Sequence, residues 1–506
     1  MGCKRITMLE QMQIYCRELV EKCKNYKYVY LYGAGTYGEA FYYFLTDKGI
    51  KIEGFITSYG GEIFLDTPIL KAQNILPKLG KESLVILSLR EELQSEILAK
   101  QDFACDVLAP TDMQIAYIDM VGVFETGCLD VPRKNVQDNH NILVVQMEVT
   151  FGDMIWSTAF LRELKYAYPE ANIDYVINKK FSALYQNCPY INRIYEYDCT
   201  YLNERISDKM VVRVKDYITK NIEKNYCSVY LPRLMPLSGA DACENIILAM
   251  QIGAPKIYGH GLYFLDYQKL RCDLLAELFS DVERHTKAGH ETMNDLSLLA
   301  LVDKKVKNNR MELWPTEEVH IGKDGSIKIC VGLVGSIPSR SWSPQYYGEV
   351  FKEIMDKYED IDIILCGGND AEDAAKIVQS YTNDSCIDLT GKTSLIDAVN
   401  IFSSCHIYVG SDTGLMHVAS AFNQYVIEIC ASNKTSPQYW GCTPTRTGPW
   451  CDNYEVLQPE RPLDDCKYMC FKPFAHCINQ NKPQEVLRAL ETAINHVESD
   501  SNRLKK

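Results

Sequence analysis

The sequence predicts an α/β protein built from doubly wound parallel sheets, and three observations carry that reading. Short apolar runs alternate with stretches of helical periodicity, the rhythm of parallel strands joined by crossover helices. This alternation starts afresh three times, near residues 28, 142 and 327. In the last third most strands run into glycine- or serine-containing turns, which collects those turns at the carboxyl edge, where such sheets bind ligands.

Composition bounds the rest. At 506 residues the chain exceeds a single core and suggests about three domains of ~150 residues. Hydrophobic residues at 46% and charged ones at 24% describe an ordinary globular protein. A formal net charge of -14 argues against nucleic acid as a partner, since tracking phosphates needs a basic excess. No apolar run approaches ~18 residues, so no membrane span is expected. The start, Met1-Gly2-Cys3-Lys4-Arg5-Ile6, has Ile where a myristoylation signal has Ser or Thr, and no apolar signal core follows; the expected location is the cytoplasm. The 20 cysteines then read as buried free thiols.

Taken in order, residues 1–25 hold Met8, Met12, Tyr15 and Leu19 at helical spacing. A strand over 28–32 leads into Gly33-Ala34-Gly35-Thr36-Tyr37-Gly38 and a helix over 39–48. This is the G-x-G-x-x-G turn of a dinucleotide fold, but the second strand, 52–56, lacks the acid that holds a ribose, with Glu53 too early to serve. A strand over 84–89 and a charged helix over 90–100 complete a small Rossmann-like domain, assigned to residues 1–135. Its role is not legible.

After an aperiodic polar stretch, a strand over 142–145, the turn Phe151-Gly152-Asp153 and a helix over 154–168 restart the pattern. Pro169 closes that helix, and a strand over 173–177 follows. Residues 211–213 and 228–231 read as short strands, and 239–318 as mostly helical. The second domain is placed at 136–323. In the third, 324–506, strands near 329–334, 361–366, 407–409 and 426–429 alternate with helices over 345–358, 371–380, 394–402 and 415–422.

The most informative stretch is 405–422. Gly410-Ser411-Asp412-Thr413-Gly414 breaks a buried strand and opens a helix that Asp412 or Thr413 can cap. Free backbone N–H groups and the positive end of the helix dipole then face whatever lies beyond the strand, which suits phosphate. His417, near the first turn, adds a donor. The plainer alternative, a capped turn with a core-packed histidine, loses ground because a second glycine–acid turn stands at Gly152-Asp153.

These motifs together resemble glycosyltransferase family nine, the heptosyltransferase-like enzymes. Residues 141–169 are similar to the family's N-terminal signature, and Val409 through Ala419 to its C-terminal donor motif. Arg340-Ser341-Trp342-Ser343-Pro344 resembles its Lys-x-Trp-Pro element, and residues 365–372 its glycine-rich turn followed by an acid. The segment from His290-Glu291 to Trp314-Pro315 also fits. The match spans about 142–494.

The resemblance implies a GT-B architecture of two Rossmann-like halves, the acceptor half first and the donor half second, preceded here by the extra small domain. It implies inverting, metal-independent transfer of a heptose or similar sugar from a nucleotide-sugar to a lipopolysaccharide, capsule or other surface-glycan acceptor, in the cytoplasm or at the inner membrane surface. No cofactor is expected. Asp153 would be the general base, with Glu148 next in line. Arg340, Gly368, Glu372, Ser411, Asp412, Thr413, Gly414 and His417 would bind the donor, and Gly152 and His290 the acceptor. Three departures stand out: Gln146 where the family usually has Arg or Lys after the first strand, a turn before Gly152 that is one residue longer, and Arg340 where Lys is commoner. A nucleotide-sugar epimerase and a non-catalytic nucleotide- or glycan-binding protein are the competing readings. Separately, Cys466, Cys470 and Cys477, with His476 and the more distant Cys442 and Cys451, offer enough ligands for zinc but lack a C-x2-C knuckle, so buried thiols compete with a metal.

Overall fold

In the computed structural model the described residues are 7–125, 133–134, 140–147, 150–199, 208–233, 240–262, 270, 273–274, 277–285, 289–438, 442–463, 466, 470 and 472–504. They form three six-stranded sheets. Glu148, the second candidate for the base, lies outside them.

The first sheet comprises β1 (Tyr28–Tyr32), β2 (Ile52–Thr57), β3 (Ile63–Phe64), β4 (Thr67–Lys71), β5 (Ser83–Leu87) and β6 (Asp106–Leu108), in the order β3-β4-β2-β1-β5-β6. All pairs are parallel except β3 with β4. The glycines after β1 have local reasons. Gly33 takes φ +120°, and a Cβ on Gly38 would run into the Gly33 carbonyl oxygen, so the Thr36–Asp47 helix can seat only on glycine.

Next come β7 (Asn141–Gln146), β8 (Asn172–Asn178), β9 (Arg193–Tyr197), β10 (Ser228–Leu231), β11 (Lys256–Leu262) and β12 (Asp281–His285). β8 and β9 lie successively on one side of β7, and β10 lies on the other. The chain therefore reverses direction across the sheet between β7 and β10, a topological switch point.

The third sheet comprises β13 (Ile327–Gly332), β14 (Ile361–Cys366), β15 (Ile387–Asp388), β16 (Ile407–Gly410), β17 (Tyr425–Ile429) and β18 (Tyr454–Leu457). It is wholly parallel, in the order β15-β14-β13-β16-β17-β18. β14 and β16 are buried along their whole length, as continuous apolar runs covered on both faces should be. The Pro344–Lys357 helix begins with Pro at its first turn and buries Tyr347, Val350, Phe351 and Ile354, an i, i+3, i+4, i+7 stripe. It packs against the terminal Pro483–Leu504 helix. Trp342, Tyr347 and Phe351 meet Ile329, Val331, Ile363 and Leu365 in one core. The switch point of this sheet falls between β13 and β16, where Gly332 and Gly410 sit side by side.

Three sequence expectations need correction. Residues 211–213 are not a strand but part of the Asp208–Asn221 helix; Met210, Val211 and Val214 are buried and Val212 is exposed, a helical period that three residues could not reveal. The stretch 239–318 is less helical than its composition suggests, since it contains β11 and β12 and is irregular over 303–326. The helix expected from Met154 starts earlier and is broken: Phe151–Trp156 and Thr158–Ala167 meet at Ser157. Gly152 and Asp153 thus lie inside a first turn rather than ahead of it.

The chain divides into two compact units. One holds residues 1–137, 201–229 and 234–284; the other holds 138–200, 230–233 and 285–506. In the first, the Asp112–Glu125 helix packs on both the Thr36–Asp47 and the Ala240–Ile252 helices. The second contains β7, β8, β9 and the whole third sheet, and with them every candidate site residue.

Candidate active site

At the end of β16 the chain turns through Ser411, Asp412 and Thr413 into the Gly414–Ala421 helix. Thr413 occupies the N-cap with extended φ and ψ, yet its side chain makes no capping bond; its hydroxyl lies 3.3 Å from that of Tyr408. The first-turn N–H groups are left without the side-chain cap that usually satisfies one of them. Asp412 accepts a hydrogen bond from the Thr447 hydroxyl at 3.0 Å, and its other oxygen lies 3.5 Å from His417 Nε2. Burial works against the Asp412 charge, but His417, Arg340 and Thr447 outweigh it and hold the carboxyl below its usual range.

The second glycine–acid motif docks directly on this turn. A Cβ on Gly152 would lie 2.8 Å from His417 Cδ2, and one on Gly414 would lie 2.8 Å from Phe151 Cγ. Each motif contributes the glycine that admits the other's ring. Trp156, on the same short helix as Gly152, donates its indole N–H to His417 Nδ1 at 3.3 Å, with the two rings edge to face at 4.9 Å. With Nδ1 accepting from Trp156, the proton of a neutral His417 sits on Nε2, facing Asp412.

The guanidinium of Arg233 lies over the Trp156 ring, 4.8 Å from its centre. Arg233, just beyond β10, reaches Asp153 Oδ1 at 3.1 Å, Glu291 Oε2 at 2.6 Å and Asp295 Oδ1 at 3.8 Å. Arg446 pairs with the other oxygen of Glu291. Of this group only Asp153 keeps appreciable access, its side chain 17% exposed, while Arg233 is at 2% and Glu291 and Asp295 are at 0%. Burial raises the Glu291 pKa, but Arg233 and Arg446 overcome it and bring the carboxyl down to about 2. Burial dominates at Asp295, whose pKa rises despite Arg233 and a 2.6 Å hydrogen bond from Ser157.

Asp153 is the third helical residue and accepts from the hydroxyl of Thr150, the N-cap. Its carbonyl accepts from Gln146 Nε2 at 3.2 Å, and Gln146 Oε1 accepts from Tyr175 at 2.7 Å. The neutral residue at 146 therefore fixes backbone, and the cation beside Asp153 comes from Arg233 instead. His290 is fully engaged. Its Nδ1 accepts from Thr292 N–H at 3.2 Å, Nε2 donates to the Gly448 carbonyl at 3.0 Å, and its ring stacks on Trp450 at 4.4 Å. Burial lowers its pKa to about 4. Both ring nitrogens are spent on the protein, so His290 holds the turn rather than offering itself to an acceptor, and its neighbour Glu291 carries the charge.

Arg340 stands at the end of the short Pro338–Arg340 helical turn, with Nη1 3.4 Å from Ser336 Oγ and Nη2 against Cys442 Sγ. It lines a small pocket with Ser411, Asp412, Ser432 and Cys442. Gly368 and Glu372 follow β14 on the same carboxyl edge, two strands from β16, and Glu372 is exposed. The structure thus gathers Gly152, Asp153, Asp412, Thr413, Gly414 and His417 into one packed group, sets Arg340 and Ser411 beside it, and leaves Gly368 and Glu372 on the rim. Trp156, Arg233, Glu291, Asp295, Arg446 and Thr447 are not singled out by the sequence, although Trp156 stands within the 141–169 segment and Glu291 and Asp295 within the 290–315 segment.

A separate cluster lies near the end of the chain. The ligand atoms of Cys466, Cys470, His476 and Cys477 all fall within 4.8 Å of one another. Cys442 and Cys451 do not join them: Cys442 faces Arg340 and Cys451 donates to the Asn453 carbonyl at 3.4 Å.

Comparison with known proteins agrees with this geometry. Residues 283–473 match the model of glycosyltransferase family 9 (heptosyltransferase). Lipopolysaccharide heptosyltransferase 2 of Escherichia coli K12 is 24% identical over 300 residues, 55% of this chain and 79% of that protein. Lipopolysaccharide heptosyltransferase 1 of Campylobacter coli is 21% identical over 67% of this chain and 95% of its own length. Among solved structures, a family 9 glycosyl transferase from Veillonella parvula superposes with a TM-score of 0.55 at 18% identity, covering 72% of this chain and all of that one. E. coli ADP-heptose lps heptosyltransferase II gives 0.51 at 19% identity, covering 71% and 99%. Residues 283–473 thus carry the glycosyltransferase family 9 (heptosyltransferase) domain, and the chain shares the GT-B fold of the family 9 structures it superposes on.

Proposed function

We propose that this chain is an inverting transferase that moves heptose, or a sugar of similar shape, from a nucleoside diphosphate sugar to a lipopolysaccharide or related surface-glycan acceptor at the cytoplasmic face of a membrane, with no metal in the transfer step. The observation that carries the proposal is the interlocking of Phe151-Gly152-Asp153 with the start of the Gly414–Ala421 helix, which sets a carboxylate close to a phosphate-suited helix end. The names of the relatives supply the sugar and the acceptor class. Among the described residues no helix is long and apolar enough to cross a membrane, which suits an enzyme that meets its lipid-linked acceptor from one side.

In this scheme the acceptor hydroxyl gives its proton to Asp153 as its oxygen bonds to the anomeric carbon, and the bond from that carbon to the diphosphate breaks on the opposite face. The departing diphosphate takes the electron pair. Arg340 and the first N–H groups of the Gly414–Ala421 helix meet that charge. His417, held between Trp156 and Asp412, orients the loop. Arg233, paired with Asp153 at 3.1 Å, sets the angle of its carboxylate.

The test is transfer from ADP-heptose to a heptose-terminated lipid A acceptor without added divalent cation, with the anomeric configuration read by NMR. Product of inverted configuration is expected. Retained configuration would overturn the role given to Asp153, an absolute requirement for added magnesium would overturn the metal-free step, and conversion of the donor without any acceptor would point to an epimerase.

A further inference from the structure

The sulfur–nitrogen distances in the Cys466, Cys470, His476, Cys477 cluster match those of a filled tetrahedral site. His476 Nδ1 lies 3.6 Å from Cys466 Sγ, 3.6 Å from Cys470 Sγ and 3.5 Å from Cys477 Sγ. With metal–sulfur bonds of about 2.3 Å and metal–nitrogen bonds of about 2.0–2.1 Å, a tetrahedron has sulfur–nitrogen edges of about 3.6 Å. Three thiol–imidazole hydrogen bonds cannot explain the arrangement, because a single Nδ1 accepts only one proton. Four protein ligands of this type close a coordination sphere and suit zinc or iron, leaving no position for substrate.

The cluster is also tied to the turn that carries Arg340. The buried Ser339 hydroxyl donates to the Cys470 carbonyl at 2.6 Å. Three residues on, Trp342 Nε1 donates to the Asn481 carbonyl at 2.9 Å, and Ser343 N–H to Asn479 Oδ1 at 3.2 Å. The Pro338–Arg340 turn packs on the Cys477–Gln480 turn, and Cys470 lines the same small pocket as Arg340, Ser411 and Asp412. The segment that would wrap the ion is thus the one on which the Arg340 turn is hung.

We propose that Cys466, Cys470, His476 and Cys477 bind one zinc or iron ion that fixes the 338–343 turn and so positions Arg340 for the donor diphosphate. Arg340 is the group touching ligand, and the metal acts through it. The coupling rests on the donor-site reading above; the metal site does not.

The test uses the full chain. Elemental analysis of the purified protein should find close to one zinc or iron per chain, the ratio of the two identifying the ion. Cys466→Ser and Cys477→Ser should each reduce this to under a tenth, while Cys105→Ser, which precedes β6 and is not part of the cluster, keeps it. If the cluster variants do not fold, the wild-type chain stripped by a chelator and titrated with cobalt(II) gives the same information, since thiolate ligation in a tetrahedron produces intense visible bands. Removing the metal should weaken ADP binding about 10-fold, restored by adding it back, and Arg340→Ala should weaken it by a similar factor with the metal retained. A chain without metal that develops no cobalt bands, or that carries a disulfide among these cysteines under reducing purification, overturns the site. If Arg340→Ala weakens ADP binding and metal removal does not, the coupling is overturned and the donor site stands. If neither changes ADP binding, the donor reading fails and the coupling fails with it, while metal content alone still decides the site.

Discussion

Asp153 could have been no more than a helix cap, but Thr150 holds the N-cap position and Asp153 lies within the first turn, accepting from Thr150 and paired with Arg233. Asparagine keeps the shape of the side chain and one accepting oxygen but cannot take a proton, so Asp153→Asn should lower kcat by about 100-fold or more with donor affinity nearly unchanged. Full activity in that variant would return Asp153 to a structural role. Acid stability gives a second residue-level expectation. In the folded chain His290 resists protonation down to about 4 against 6.5 for the free group, and Glu291 down to about 2 against 4.5. The unfolded chain takes up those protons first, so stability present at neutral pH is lost as pH falls, through 6.5 to 4 for His290 and through 4.5 to 2 for Glu291. Asp295, raised by burial, works in the opposite sense. His290→Asn, which keeps a side chain able to cap, should flatten the decline of the urea midpoint between pH 6.5 and 4; an unchanged decline would assign the acid sensitivity elsewhere. Gly152, Asp153, Asp412 and His417 were legible because each sits in a short motif. Arg233 and Arg446 were not, since their partner Glu291 is 58 and 155 residues away and an isolated arginine in a sequence looks like surface.

At the scale of elements, the Phe151–Trp156 and Gly414–Ala421 helices meet through glycine, and that contact has a direct test. A methyl group on Gly414 would overlap the Phe151 ring, and overpacking of this kind costs about 1–3 kcal/mol. Gly414→Ala should therefore lower the melting temperature, and adding Phe151→Ala should recover part of the loss by opening the space. A double mutant that loses the sum of the two single losses would mean the groups do not touch. The third sheet was readable because its strands are continuous apolar runs between helices of regular period. The Asp208–Asn221 helix and β11 were not, because the local signal in each is short and the tertiary partner decides the outcome. The site needs both kinds of element: β13 and β16 announce their switch point in sequence, whereas β10, which delivers Arg233, is four residues long.

At the scale of the molecule, the polar stretch that precedes the restart at β7 predicts that the small leading domain can be removed near residue 135 without loss. The structure shows what such a cut would expose. Arg133 donates to the Leu278 carbonyl at 2.7 Å and the Ala254 carbonyl at 3.2 Å, Lys134 N–H donates to the Gly253 carbonyl at 2.8 Å, and the Asp112–Glu125 helix packs on Ala240–Ile252. Near the start of the chain, Leu9 N–H reaches Glu277 at 3.3 Å. Residues 1–137 thus share one compact unit with 201–229 and 234–284, and a chain beginning at residue 138 would leave the Ala240–Ile252 helix and the carbonyls of 253–278 without these partners. Buried carbonyls that lose their donors each cost about 1–3 kcal/mol, a large share of a stability of about 5–15 kcal/mol. The truncated chain should therefore melt well below the full-length protein and expose apolar surface to a hydrophobic dye, whereas co-expressed residues 1–137 should bind it and restore the transition. A truncated chain that melts at the full-length temperature would show that the leading domain is dispensable to the remainder, as the polar boundary in the sequence suggests.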